Sequence, residues 1–370
     1  MKLLLASPLF LATGAWSMAA LWFDGHASRS LAGLLAVGFA LAALLILIRL
    51  RPLWYAAAAY GLLFGAVLVW WLSLPPSNDR GWQPDVARLP KATLEGDLLT
   101  IENVRNFEYR SETDFDEHWE TRTYDLSKLR GADMFFSFWG SPLIAHTIAS
   151  WEFEDGPPLA ISIETRKEIG ESYSATLGFF RHFELYYVVS DERDVVALRT
   201  NHRGEEVYLY RLMTPIPTAR AVLLDYVRAI NKLAASPRWY NAFSHNCTTQ
   251  IRRHVQHVAP QNPFSWKILM NGYLPELGYE RGTIDTSLPF EELRRESNIT
   301  ERAKAVAGDP SFSDRIREGL PGERRESAPD EVVRSVSQSI DRNEVALIGN
   351  FREGLGRAPD ADKARERLGR

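Results

Sequence analysis

Residues 146–154 read HTIASWEFE, residues 155–158 read DGPP and residues 159–166 read LAISIETR. Two runs of strand length flank a cluster in which a glycine and two prolines interrupt any ladder. The stretch is therefore read as a β-hairpin. On its second strand Ala160, Ser162, Glu164 and Arg166 share one face. A turn that pairs Ser150 with Ser162 would set Ile148 against Glu164 and His146 against Arg166. Glu164 is then a diagonal neighbour of His146.

The surrounding chain supplies more strands. Met134–Trp139 is an unbroken apolar and aromatic run, the mark of a buried strand, and Leu98–Tyr109 alternates loosely. Phe183–Ser190, Val195–Thr200 and Val207–Leu212 read as three further strands, giving a mostly antiparallel sheet. Helices follow: Pro217–Ala235 carries Ala221, Leu224, Val227 and Ile230 at helical spacing, and a second helix starts near Cys247 and stops before Pro260. Residues 291–307 read as a charged helix. The class is α+β.

Charge divides the chain. The whole has net charge −4, with 43 Lys+Arg and 47 Asp+Glu, yet residues 1–74 hold only Lys2, Asp24, Arg29, Arg49 and Arg51. Within them Leu3–Trp22, Leu31–Ile48 and Leu53–Leu74 are free of charge, each long enough to cross a bilayer as a helix. Lys2 and the Arg49/Arg51 connector point to the cytoplasmic side, so the chain after Leu74 faces the opposite compartment. Small residues at Ser17, Ala19 and Ala20 also allow the first run to be a cleaved signal peptide, with the same outcome for the rest. The expected organisation is a three-helix membrane anchor over 1–74, a Pro-rich linker over 75–90, a folded domain over 91–322 and a charged tail over 323–370. The acidic body speaks against nucleic-acid binding. One cysteine excludes an intrachain disulfide, and no glycine-rich nucleotide loop is present. The helical pair His254/His257 lacks a nearby carboxylate and reads as a surface face, so no metal is expected there, and no cofactor is expected either.

Cys247 is the most informative residue. It follows Ser244-His245-Asn246, and Asn246 is a good N-cap for the helix that begins there. A thiol in a first helical turn meets the positive end of the macrodipole, which favours the nucleophilic thiolate. Unpaired backbone N–H groups at that end can hold an oxyanion. A buried, inert cysteine is the plainer alternative. A thiolate calls for an imidazole base, and His146 at a strand start is the candidate, with Glu164 first and Ser162 second as the group that orients it. Phe135, Phe136, Phe138, Trp139 and Trp151 are core residues or the lining of an acyl site.

These motifs resemble the Lnb N-terminal periplasmic domain family. The resemblance rests on His146-Thr147, Trp151-Glu152-Phe153, Ser162-Ile163-Glu164-Thr165-Arg166, Asn246-Cys247-Thr248-Thr249 and Asp309-Pro310-Ser311-Phe312-Ser313 with Ile316-Arg317, across residues 80–322. It implies a circularly permuted papain-like fold in which the histidine strand precedes the cysteine helix. It also implies acyl transfer through a thioester on Cys247, from a lipid to the N-terminal amine of a bacterial lipoprotein. The chain would then sit in a bacterial inner membrane with its catalytic domain in the periplasm. The competing expectations are a cysteine hydrolase of the same fold acting on the cell envelope, and a non-catalytic membrane-tethered scaffold.

Overall fold

The computed structural model describes residues 2–24, 28–260 and 263–322, with side chains from residue 8 onward. The expected charged tail at 323–370 lies outside the described residues. Three helices open the chain: α1 (Lys2–Phe23), α2 (Arg29–Arg49) and α3 (Leu53–Ser73). Among the described residues, α2 and α3 are long and apolar enough to cross a membrane. The apolar stretch of α1, Pro8–Phe23, is shorter. The expected three spans are thus corrected to two, because the described apolar part of α1 falls short of a hydrocarbon core's thickness.

These helices belong to a compact unit of Met1–Ala87, Glu164–Tyr186 and Ser236–Asn246. Phe39, Tyr60 and Val67 pack inside it with Phe10, Trp16 and Phe64 around them. The Arg181 guanidinium donates to Leu72 O (3.0 Å) and Leu74 O (2.6 Å) and lies 4.5 Å over the Trp71 ring, so a cation satisfies the last carbonyls of α3. Residues 75–87, expected as a linker, are tied down too. Trp82 and Val86 are buried, and the Arg166 guanidinium lies 4.2 Å over Trp82 while donating to Val86 O and Ala87 O.

The second unit is Arg88–Ile163, Tyr187–Ala235 and Cys247–Arg370. Its strands are β1 (Lys91–Glu95), β2 (Leu98–Arg105), β3 (Glu108–Tyr109), β4 (Phe115–Asp116), β5 (Trp119–Asp125), β6 (Leu129–Phe138), β7 (Ala145–Phe153), β8 (Leu159–Arg166), β9 (Glu184–Ser190) and β10 (Glu206–Arg211); β8 ends and β9 begins in the first unit. The sheet order is β1-β2-β9-β8-β7-β6-β10 with β5 on β2; the pairs β1–β2, β2–β5, β6–β7, β7–β8 and β6–β10 are antiparallel, and β2 meets β9 in parallel. The helices are α4 (Glu192–Ala197), α5 (Ile216–Ala235), α6 (Cys247–Val258), α7 (Leu274–Glu280), α8 (Phe290–Glu296), α9 (Thr300–Ala305) and α10 (Phe312–Arg315). The α+β class with a mostly antiparallel sheet is borne out.

Two expectations change. Val195–Thr200 is not a strand. Asp191 accepts the Arg193 N–H and caps α4, and a π turn continues it over Leu198–His202, so this apolar run is a buried helix. The hairpin register also moves by two residues: Ser150 pairs with Ala160 and Ile148 with Ser162. Phe153 and Glu152 are held by Leu129 and Gly131 on β6, and Pro157 and Pro158 offer no N–H, so the β7–β8 ladder starts at Trp151 and Leu159. A shift of two keeps every side chain on its expected face.

The two sheet faces differ in chemistry. One carries Phe135, Ile148 and Ala160 against Val195, Ala303 and Phe312. It also holds a buried ionic cluster in which Arg317 donates to Asp133, Glu152 and both oxygens of Glu192, while Ser150 donates to Glu192. The other face carries Phe136 and Tyr210 against Ile284 and Leu293, and Trp151 against α5. Arg317→Met would strand three carboxylates in the interior. It is expected to cost about 3–5 kcal/mol of unfolding free energy, read by urea denaturation; a cost below about 1 kcal/mol would mean the cluster is not held by this cation.

Candidate active site around Cys247

Cys247 opens α6, is half-buried and is a free thiol, with its sulfur 3.9 Å from the Thr248 hydroxyl. Asn246, expected as the N-cap, turns its side-chain amide back to Ala242 O (2.6 Å). Within the first turn of α6, Thr248 and Gln250 are buried.

His146 is the second residue of β7 and stands opposite Ser137 on β6. Its Nε2 lies 2.7 Å from the Ser162 hydroxyl. The β7–β8 ladder ends at Ile148 and Ser162, so His146 stands two residues beyond it. The Ser162 side chain is fully buried and hydrogen-bonded to the imidazole. Glu164 is half-buried near the end of β8, within the first unit. Strand alternation puts His146 on the face of Ile148 and Ser150. The helices α5 and α6 pack on the Trp151 side, where Trp151 Nε1 donates to Ala219 O and its ring meets Tyr226 edge-on. Strand alternation thus places His146 and α6 on opposite faces of the sheet, at the end where the β7–β8 ladder has stopped.

One side chain joins the two starts. Asn271 accepts from Ala145 N (2.8 Å) and donates to Ala145 O (2.5 Å), pairing with the residue before His146 as a strand would. The same amide donates to the hydroxyl of Thr248, the residue after Cys247, at 2.7 Å. Gly272 follows, and its N–H donates to Leu143 O (3.0 Å). A Cβ at Gly272 would lie 2.1 Å from Pro142 O, so only glycine lets the two backbones approach this closely. The loop before β7 and the segment before Asn271 are thereby brought together. Both leave apolar side chains in solvent: Trp139, Leu143 and Ile144 on one, Trp266, Leu269 and Met270 on the other.

The remaining aromatics divide. Phe135, Phe136 and Trp151 are buried core, Phe138 packs beside them, and Trp139 is exposed.

A second histidine cluster corrects the sequence reading of His254 and His257. They do have a carboxylate: Asp225 on α5 stands 2.6 Å from His254 Nδ1 and 3.0 Å from His257 Nδ1, and Arg228 donates to its other oxygen. His254 is buried, not a surface residue; its Nε2 lies 2.9 Å from Tyr187 OH, and the Tyr226 ring lies 3.9 Å away. Burial holds the His254 imidazole below its ordinary range, outweighing its hydrogen bond to Asp225. It is then neutral, with Nδ1–H donating to Asp225 and Nε2 accepting from Tyr187. Both nitrogens are occupied, which leaves His254 no lone pair for the thiol. Burial also pushes the Tyr226 hydroxyl well above its usual range, with the nearby Cys247 adding to the effect.

Asn271, Thr248 and Asp225 were not singled out from sequence. Each acts through a partner distant along the chain, and only the Asn271-Gly272 dipeptide carries a local turn signal.

Residues 115–272 match the Lnb N-terminal periplasmic domain family. The matched stretch runs from β4 through His146, Ser162 and Cys247 to the Asn271-Gly272 turn. The motif at 309–317 lies beyond it. This similarity to a periplasmic domain and the apolar helices ahead of it fit a membrane-anchored periplasmic protein. No curated protein and no solved structure matches the chain.

The His254 environment sets a pH dependence. Its folded pKa is depressed, so on acidification the unfolded chain takes up a proton at about pH 6.5 that the folded chain refuses. Its contribution is present above that pH and is lost as pH falls. The melting temperature is expected to drop between pH 7 and pH 5, and His254→Asn to flatten that drop; an unchanged slope in the variant would place the titration elsewhere.

Proposed function

We propose that this chain is a periplasmic thiol acyltransferase that loads an acyl group onto Cys247 and passes it to the N-terminal amine of a lipoprotein. Arg49 and Arg51 set the α2–α3 connector on the cytoplasmic side of a bacterial inner membrane, so α3 leads out to the periplasm. His146 is the base. Its Nε2 lies 2.7 Å from the Ser162 hydroxyl, which holds the ring. The Cys247 thiolate attacks an ester carbonyl of a membrane lipid, the C–O bond breaks, and the departing alcohol takes the proton held by His146. The amine then attacks the thioester, its proton passes to His146, the C–S bond breaks and the thiolate returns. Backbone N–H groups in the first turn of α6 stabilise the oxyanion in both halves.

What carries the reading toward acyl transfer is the apolar collar. Six large apolar side chains stay exposed on the two loops that Gly272 joins, on either side of the residues leading to His146 and Asn271. Apolar surface of this kind suits a lipid donor and keeps water from the thioester. A half-buried Cys247 also suits a nucleophile better than an inert core cysteine.

In cells that depend on this protein, Cys247→Ala and His146→Ala are each expected to abolish N-terminal acylation of lipoproteins by mass spectrometry, at normal protein level and membrane insertion. His254→Asn is expected to retain it. Unchanged acylation in Cys247→Ala would sink the transferase reading in favour of a hydrolase or a scaffold.

A further inference from the structure

We propose that Asn271 is a positioning residue, with Thr248 as its anchor on α6: its side-chain amide sets His146 against Cys247. The proposal rests on the Cys247–His146 reading above.

The geometry is specific. The base sits on a strand and the nucleophile on a helix that packs on the far face, so sheet packing alone does not align them. The Ser162 bond fixes the ring at one end, and it says nothing of Cys247. Asn271 is the group whose hydrogen bonds reach both neighbours, Ala145 beside His146 and Thr248 beside Cys247. It is buried, and its Oδ1 and both amide hydrogens are used. Every backbone dihedral between clamp and reacting group is a single residue away, so a shift of the clamp is passed on almost undiminished. Gly272 closes the far side by holding the 142–143 backbone against the turn. Misplacement of about 1 Å between nucleophile and base is enough to cost orders of magnitude in rate.

The chemistry also selects asparagine. Aspartate would keep the shape and the acceptor for Ala145 N but lose both donors, leaving a carboxylate against Ala145 O. At 248 the hydroxyl is what matters: serine retains the acceptor and valine keeps the volume without it.

The test uses the full chain in detergent and follows alkylation of Cys247, the lone cysteine, by iodoacetamide at pH 7. This reads thiol activation without any acyl donor. Asn271→Asp and Thr248→Val are each expected to slow alkylation about tenfold, Thr248→Ser to keep the parent rate, and His146→Ala to set the floor. On the His146→Ala background, Asn271→Asp and Thr248→Val are expected to add no further slowing, because they act through the imidazole. A drop of the same size on that background would reduce Asn271 to a structural role and overturn the proposal. Parent rates in the single variants, with His146→Ala slow, would overturn the clamp while sparing the Cys247–His146 pair. Parent rate in His146→Ala itself would overturn both. Thr248→Val carries the same test should Asn271→Asp fail to fold.

Discussion

A strand start and a helix start that belong to different layers have to be held together by something other than layer packing. In this protein that is the Asn271 amide, which replaces a missing strand neighbour at Ala145 and ties Thr248 with its remaining hydrogen. A buried amide stabilises only when all its groups are paired, and here they are. The same device appears at the far edge of the sheet, where Asn231 on α5 accepts from Ala92 N and donates to Ala92 O. Side-chain amides thus terminate this sheet where backbone partners run out.

The two faces of the sheet divide the labour. On one, three buried arginines, Arg105, Arg199 and Arg317, meet Asp194, Glu205, Glu192 and Asp133. Such pairs tolerate few alternative arrangements, because moving one partner leaves the other charged and dry. That face fixes β6, β7 and α4 in place. The opposite face is aromatic and carries α5 and α6, with Trp151, Tyr226, His254 and Asp225 forming one packed and hydrogen-bonded set behind Cys247. Cys247 rests on the aromatic side, while His146 stands on the ionic side at the end of the sheet.

Much of this was legible in the sequence, and the remainder fails for identifiable reasons. The hairpin around Asp155-Gly156-Pro157-Pro158 was readable because proline and glycine act locally. Its register was not, since Glu152 and Phe153 are claimed by β6, a strand whose pull no turn residue reveals. Val195–Thr200 has the composition of a strand, and the Asp191 cap turns it into a helix. His254 looked like a surface residue because its carboxylate lies on α5, 29 positions back. Ser162, read second to Glu164 as the group that orients His146, lies 2.7 Å from its ring. The membrane region was legible as apolar runs, and among the described residues two helices, α2 and α3, meet the length required. Asn271 lay beyond sequence reasoning altogether, because its role exists only once β7 and α6 have been brought to the same end of the fold.

The central claim is that Cys247 carries the acyl group. It is tested most directly by digesting the protein after incubation with phospholipid vesicles and weighing the peptide that contains Cys247. An acyl mass on that peptide, removed by neutral hydroxylamine and absent from Cys247→Ser after the same treatment, is the expected result. An unmodified thiol in a preparation that N-acylates lipoprotein would contradict it, since the transfer would then proceed without the thioester.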